Sequence, residues 1–205
     1  GKRIDVSKKG APPRTNLLAH PTKAFVLQAV QRNGATPATL ILTDIRTGKT
    51  IQTFPDSSQT SPLCFSPDGS LVVGKESASR GKTPFLLLWN VETGKLLHRM
   101  PGEPAYRTRT AGFSPDNQFL FVETIDVISI FEVKTGTTLH GIPILSPRGH
   151  TPQSPVCFSP DSQQMSIGNT LGKCQIRTLL TNKTLHTLVE KKASRPTSPP
   201  NSGIY

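Results

Sequence analysis

One short phrase occurs three times in this chain of 205 residues. It reads Phe-Ser-Pro-Asp followed by Gly, Asn or Ser, at residues 65–69, 113–117 and 158–162. A weaker copy, Ala-His-Pro-Thr-Lys at residues 19–23, keeps the proline, so successive prolines lie 46, 48 and 45 residues apart. This period indicates a structural unit copied in tandem, and each unit must stack on its neighbours because it cannot bury its apolar face alone.

Each unit is predicted to be a meander of four antiparallel strands. The phrase is a turn, in which proline presets φ, aspartate accepts hydrogen bonds from nearby amides and the last residue tolerates positive φ. Short apolar runs of strand length flank it, and a second turn then places glycine or asparagine in a hairpin before a mixed polar and apolar edge strand. The residues assigned to the two turns are Pro67, Asp68, Gly94, Pro115, Asp116, Gly136, Pro160 and Asp161, with Gly48 and Asn182 in the first and last hairpins.

The turn phrase and the hairpin together resemble the WD40-repeat β-propeller family. Residues 89–95, Trp-Asn-Val-Glu-Thr-Gly-Lys, are similar to the family's W-D-x-x-T-G-K segment, and Gly149-His150 is similar to its G-H dipeptide. The resemblance covers about residues 17–189 and implies an all-β propeller built of four-stranded antiparallel blades. The W-D slot departs from the family pattern in every unit, and no unit contains the family's complete Asp-His-Ser-Trp set.

The predicted organisation has three parts. Residues 1–16 are a basic segment that aligns with a hairpin, as the stub of an earlier blade would, and residues 190–205 are expected to be a disordered tail rich in Pro, Ser and Lys. Residues 17–189 hold about four full blades, at about 17–56, 57–102, 103–145 and 146–189. Closed propellers usually have four to eight blades, and those resembling this family commonly have about seven. We therefore favour a piece of a larger propeller, and the competing hypothesis is a half-propeller that pairs with itself or with another chain to close a ring.

The net charge of +11 is concentrated towards the two ends of the sequence. Residues 1–16 carry +4, residues 17–189 carry +5 and residues 190–205 carry +2. Aromatic side chains do not interleave with the basic ones of the repeats, as a base-stacking surface would require. A solvated surface is the favoured interpretation, and weak, salt-dependent attraction to RNA through the basic loops is the alternative.

The cysteines and the hydropathy indicate an intracellular protein. Three cysteines cannot all pair, and Cys64 and Cys157 occupy the same slot before the repeated phenylalanine, so both are expected to be buried in strands and reduced. No apolar run approaches the ~20 residues that a membrane span needs, and no signal peptide is evident. We expect a cytoplasmic or nuclear location and no membrane association.

The residue pattern favours neither a catalytic site nor a metal site. His98, His140 and His186 recur at one slot of the repeat, but equivalent positions on successive blades are too far apart to share a zinc ion. The three repeated aspartates are expected to stabilise turns rather than to form a glycosidase pair. The sequence has no G-x-S-x-G elbow, no Cys-x-x-Cys pair and no P-loop pattern. We therefore expect no enzyme activity, no metal and no cofactor.

Two connections depart from the minimal repeat, and loops on a rigid scaffold carry most recognition. The first, from Gly74 to Pro84, replaces a tight turn in the second unit, and the second, from Pro101 to Arg109, links the second unit to the third. The latter combines an aromatic residue with two arginines, a combination that is enriched at binding hot spots. The candidate partner-binding residues in these connections are Tyr106, Arg107, Arg109, Arg80 and Lys82.

The favoured function is a non-enzymatic scaffold that mediates protein–protein interactions in a multiprotein assembly. A first alternative is a propeller that contacts RNA in a ribonucleoprotein or translation-related complex, which clustering of Lys and Arg on one face would support. A second alternative is the regulatory or sensor end of a larger enzyme chain.

Overall fold

The computed structural model describes residues 17–30, 38–76, 84–101, 108–144, 156–168 and 173–189. In these residues sixteen strands form four sheets, each made of four antiparallel strands that are consecutive in the chain. The prediction of an all-β chain with four-stranded antiparallel units is therefore confirmed. The predicted N-terminal stub at 1–16 and the predicted tail at 190–205 lie outside the described residues.

The sheets follow one another along the sequence. Sheet 1 contains β1 (Leu18–Ala19), β2 (Phe25–Val30), β3 (Thr39–Asp44) and β4 (Thr50–Thr53). Sheet 2 contains β5 (Thr60–Phe65), β6 (Leu71–Glu76), β7 (Phe85–Asn90) and β8 (Leu96–Pro101). Sheet 3 contains β9 (Thr110–Phe113), β10 (Phe119–Glu123), β11 (Val127–Glu132) and β12 (Thr138–Pro143). Sheet 4 contains β13 (Val156–Phe158), β14 (Gln164–Gly168), β15 (Lys173–Thr178) and β16 (Thr184–Val189).

The repeated phrase forms the same turn in sheets 2, 3 and 4. In sheet 2 the Ser66 hydroxyl donates to Asp68 Oδ1 at 2.6 Å and accepts from the Leu71 amide at 2.9 Å. The last residue of the phrase has a positive φ in all three copies, between 57° and 76°. Because serine and aspartate satisfy the amides of the turn, the chain reverses without leaving buried donors unpaired. The corresponding pairs in the other two copies are Ser114 with Asp116 and Ser159 with Asp161.

A second turn joins the third and fourth strands of every sheet. Its glycine slot has a positive φ throughout, from 52° at Asn182 to 70° at Gly136. The residue that ends the third strand holds this turn, as when Asn90 Oδ1 accepts from the Thr93 amide at 2.8 Å. The register between the two strands shifts at the same place in all four sheets, which is the effect of a bulge.

Three apolar clusters lie between consecutive sheets. The cluster between sheets 1 and 2 is centred on Phe54 and Trp89, and that between sheets 2 and 3 on Met100 and Phe131. The cluster between sheets 3 and 4 includes Ile128, Ile130, Ile142 and Met165. Successive residues of a strand point to opposite faces, so the inner strands of sheets 2 and 3, which are buried on both faces along most of their length, consist mainly of apolar residues. Sheet 4 is less buried, and every residue of β16 is exposed.

Both Cys64 and Cys157 lie in strands, but the prediction that both are buried is wrong for Cys157, which is exposed, and Cys64 is half-buried. Cys64 pairs with Val73 and packs into the cluster between sheets 2 and 3, and burial raises the pKa of its thiol to about 12. Cys157 pairs with Ser166 on the face of sheet 4 that points away from sheet 3, and it is exposed. The two cysteines occupy equivalent positions of the repeat, but a following sheet covers only Cys64.

Candidate functional site

The antiparallel meander divides the connections between two ends of the sheets. The turns between first and second strands and between third and fourth strands lie at one end, which we name the turn end. The connections between second and third strands, and those from one sheet to the next, lie at the opposite end, which we name the connection end. All of the turn residues proposed from the sequence lie at the turn end, whereas both variable loops start and finish at the connection end.

The repeated carboxylates at the turn end are held by their own turns. Partial burial tends to raise the pKa of Asp68 and of Asp116, but hydrogen bonds from the adjacent serine and from backbone amides outweigh it and lower both pKa values. The pKa of Asp161 is lowered mainly by the hydrogen bonds from Ser159 and the Gln163 amide. All three are thus stabilised as turn-forming anions, whereas a general acid requires a raised pKa.

His20 fills the serine position of the turn in sheet 1 and is 6% exposed. Its Nδ1 accepts from the amides of Thr22 and Lys23, both at 3.2 Å. Nε2 therefore carries the proton and donates to the Gly69 carbonyl in sheet 2 at 3.1 Å. A cleft of about 370 Å³ opens beside this ring between sheets 1 and 2. Because both ring nitrogens are already engaged, the histidine acts here as a link between two sheets.

We expect the stability of the protein to fall between pH 7 and pH 5 because of His20. Burial is the largest influence and lowers the pKa of this imidazole below 6.5, although the hydrogen bond to the Gly69 carbonyl opposes it. Nearby Lys23 lowers the pKa and Asp68 raises it by lesser amounts. The unfolded chain therefore takes up a proton below pH 6.5 that the folded protein resists, and the loss is at most about 1.4 kcal/mol per pH unit. The repeated aspartates, with lowered pKa values, titrate below this window.

The measurement is urea unfolding at several pH values for the natural chain and for His20→Asn. The variant has no titrating group at this position, so its free energy of unfolding should be flatter between pH 7 and pH 5. Equal slopes for the two proteins would contradict the role given to His20.

In sheets 1, 2 and 3, a polar side chain on the fourth strand, which is the outer strand, reaches the next sheet. Gln52 Nε2 donates to the Glu92 carbonyl at 3.0 Å. His98 Nε2 and His140 Nε2 lie 3.1 Å from the carbonyls of Lys134 and Leu180. Each residue stands four positions after the hairpin glycine slot. This offset is readable in the sequence, but it does not by itself reveal a link between sheets. Within the described residues no group of three or more His, Cys, Asp or Glu could hold a metal ion.

The connection end brings the two variable loops together at their bases. Lys75, in the strand that leads into the first loop, donates from Nζ to the carbonyl of Thr108 at 3.3 Å, where the second loop ends. The neighbouring Arg109 is half-buried, and its amide donates to the Glu123 carbonyl at 2.8 Å. Of the five candidate partner-binding residues, Arg109 is described, whereas Tyr106, Arg107, Arg80 and Lys82 lie outside the described residues.

The described surface of the connection end mixes charges with apolar groups. Arg99 pairs with Glu76 at 2.8 Å and lies over the Phe85 ring, with its guanidinium carbon 4.8 Å from the ring centroid. In the turn after β10, Ile125 is 39% exposed beside the exposed Asp126. Basic, acidic, aromatic and aliphatic side chains therefore all occur at the connection end of sheets 2 and 3.

No protein-family model matches this chain, and no curated protein has significant sequence similarity to it. The described residues contain no helix with the length and apolar character that a membrane span requires.

Proposed function

We propose that this chain is a non-enzymatic, WD40-like propeller segment that acts as a protein-binding scaffold through its connection end. The observation that carries the proposal is the bond from Lys75 to the Thr108 carbonyl, which joins the described residues that flank the two variable loops. Two loops that share a base present a single recognition surface on rigid sheets, as loop-based binding sites do.

A protein partner fits the described chemistry better than RNA does. The surface alternates Arg109 and Lys75 with Glu76 and Asp126, and it includes the exposed Ile125. Single-stranded RNA is bound by a positive groove lined with stacking rings, whereas protein interfaces combine apolar anchors and arginine with a polar rim. The clustering of positive charge that would favour RNA is therefore offset by the carboxylates beside it.

The test compares two double variants that make matched changes at opposite ends of sheets. Arg109→Ala with Ile125→Ser alters the connection end, and Lys95→Ala with Leu97→Ser alters the turn end. Each pair removes one positive charge and one aliphatic side chain, and Ile125 and Leu97 are equally exposed at 39%. The tagged full chain and both variants are used to capture cross-linked partners from lysate with and without nuclease treatment, at several salt concentrations, with quantification by mass spectrometry.

We expect the connection-end variant to lose its main protein partners by about fivefold or more, since anchor residues dominate binding energy. The turn-end variant should retain them. Equal recovery by both variants would contradict the proposal, and partners that disappear on nuclease treatment and fall steeply with salt would favour the RNA alternative. Circular dichroism spectra of the variants exclude misfolding as the cause.

A further inference from the structure

The three interfaces between sheets follow one rule. We name the face that a sheet turns to the following sheet its back face, and the opposite face its front face. On the back face an apolar residue near the end of the fourth strand is buried, as Phe54, Met100 and Ile142 are, with at most 4% exposure. On the front face of the following sheet the residue just after the third strand packs into the same cluster. Val91 and Leu179 are buried there, at 7% and 1% exposure, and Val133 is partly buried.

The same two positions occur on the front face of sheet 1 and on the back face of sheet 4. The residues that occupy them there are exposed. Leu188 occupies the back position of sheet 4 and is 56% exposed. Ile45 occupies the front position of sheet 1 and is 63% exposed. Cys157, on the back face of sheet 4, is exposed as well, in a register row with Ser166 and Ile176. Each of these two faces therefore has the residues of one side of the interface that forms three times between consecutive sheets.

The polar link between sheets also continues to both outer faces. Gln52, His98 and His140 reach the first hairpin carbonyl of the following sheet. The next residue in this series is His186, which pairs with Ile176 in the row of Cys157 and is exposed. The matching carbonyl of sheet 1 belongs to Arg46, which follows Ile45 as Glu92 follows Val91.

We propose that the back face of sheet 4 docks on the front face of sheet 1 of a second copy of this chain, so that two copies close head to tail. His186 then reaches the Arg46 carbonyl of the other copy, and Leu188 packs against its Ile45. The described strand residues of both faces include no charged side chain that would oppose burial. Among them are Val26 and Thr43 on the front face of sheet 1, where Ile41 is already buried at 6% exposure, and Cys157, Ile176 and Leu188 on the back face of sheet 4.

A second copy is the occupant that the geometry favours, since one chain presents both halves of the repeated interface in matching register. A contact between two different faces builds a ring only if it closes, and otherwise it builds a filament. Two copies supply eight sheets, and closed rings of four-stranded blades contain about four to eight. This assembly does not use the connection end, so its failure in an experiment would not contradict the proposed scaffold function, and the reverse is also true.

The experiment measures the mass of the full chain by sedimentation equilibrium over a range of concentrations. We expect twice the mass of the chain, and we expect Ile45→Glu and Leu188→Glu each to raise the dissociation constant by about tenfold or more, since a buried unpaired carboxylate is costly. Leu139→Glu is the matched control, because Leu139 is exposed at 37% on an outer strand of an internal sheet. It should leave the dimer intact.

Mixing the two face variants distinguishes head-to-tail docking from other arrangements. Ile45→Glu keeps a natural back face and Leu188→Glu keeps a natural front face, so the mixture should form a heterodimer that neither variant forms alone. Labelling of Cys157 by a maleimide should slow as the natural chain assembles. A monomer at all concentrations, a mass that grows beyond two copies, or a dimer unaffected by both variants would overturn the proposal.

Discussion

Replacing Trp89 by alanine is expected to lower the free energy of unfolding by about 3–5 kcal/mol, the usual cost of truncating a fully buried aromatic residue. Trp89 is 0% exposed and lies between sheets 1 and 2. Its ring contacts Phe54 edge to face with 6.1 Å between centroids, and its Nε1 donates to the Pro55 carbonyl at 3.1 Å. The substitution leaves a cavity and an unpaired carbonyl, and both effects lower the stability.

Trp89→Phe is the matched control, because phenylalanine already stands at the equivalent position, Phe131, in sheet 3. It keeps an aromatic ring but loses the hydrogen bond, so we expect a smaller loss of about 1–2 kcal/mol. Urea unfolding followed by circular dichroism measures both, since the chain has one tryptophan and its fluorescence disappears in the variants. A loss below about 1 kcal/mol for Trp89→Ala would contradict the packing of sheets 1 and 2 through this side chain.

The strands and turns could be predicted from the sequence because their causes are local. A proline, an aspartate and a residue that accepts positive φ occur within five positions of each other, and the bonds they make, such as Ser66 to Asp68, span two residues. The apolar runs between turns are long enough for strands and too short for helices. These signals can be recognised in the sequence without knowing where any neighbouring sheet lies.

The links between sheets could not be predicted in the same way, because they depend on where another sheet lies. His98 bonds to a carbonyl 36 residues away, and Gln52 to one 40 residues away. The sequence places the repeated histidines at one slot of the repeat, but it does not show which carbonyl of another sheet each of them reaches. Cys157 was misjudged for the same reason, since its burial depends on a following sheet and not on its own strand.

The candidate site shows the same difference between features that depend on nearby residues and features that depend on distant ones. The sequence indicates Arg109 as a candidate because an aromatic residue and a second arginine stand near it. Lys75 was not selected as a candidate, since its bond to Thr108 connects positions 33 residues apart. Only the meander topology shows that the two loops share one end of the sheets.

Replacing Gly136 by alanine is expected to lower the free energy of unfolding by about 2–3 kcal/mol, against about 1 kcal/mol for Gly48→Ala. Both glycines have a φ near 70°, so both substitutions incur the cost of a side chain in the left-handed region. A Cβ at Gly48 would meet nothing within 4 Å, whereas a Cβ at Gly136 would lie 2.7 Å from Cγ of His98. The difference between the variants therefore isolates the contact between sheets 2 and 3.

Gly94→Ala should fall between these two variants. Its Cβ would lie 2.7 Å from Nε2 of Gln52, the far end of a flexible side chain that can move aside, whereas the atoms of His98 nearest Gly136 are Cγ and Cβ. Urea unfolding of the three variants measures the order directly. Equal losses would mean that the hairpin glycines serve their own turns only and that the preceding sheet sets no steric limit on them.

The natural sequence already contains one exception that explains why the expected loss at Gly136 is moderate. Asn182 occupies the glycine slot of sheet 4 with a φ of 52°, beside His140, which still reaches the Leu180 carbonyl at 3.1 Å. Half-buried Arg177 stands there in place of Trp89 and Phe131, and it donates to Asn182 Oδ1 at 2.9 Å. The Cβ of Asn182 is accommodated because sheet 4 is less tightly packed here and because Arg177 holds the asparagine side chain. Sheet 3, whose equivalent Phe131 is fully buried, has less room to adjust.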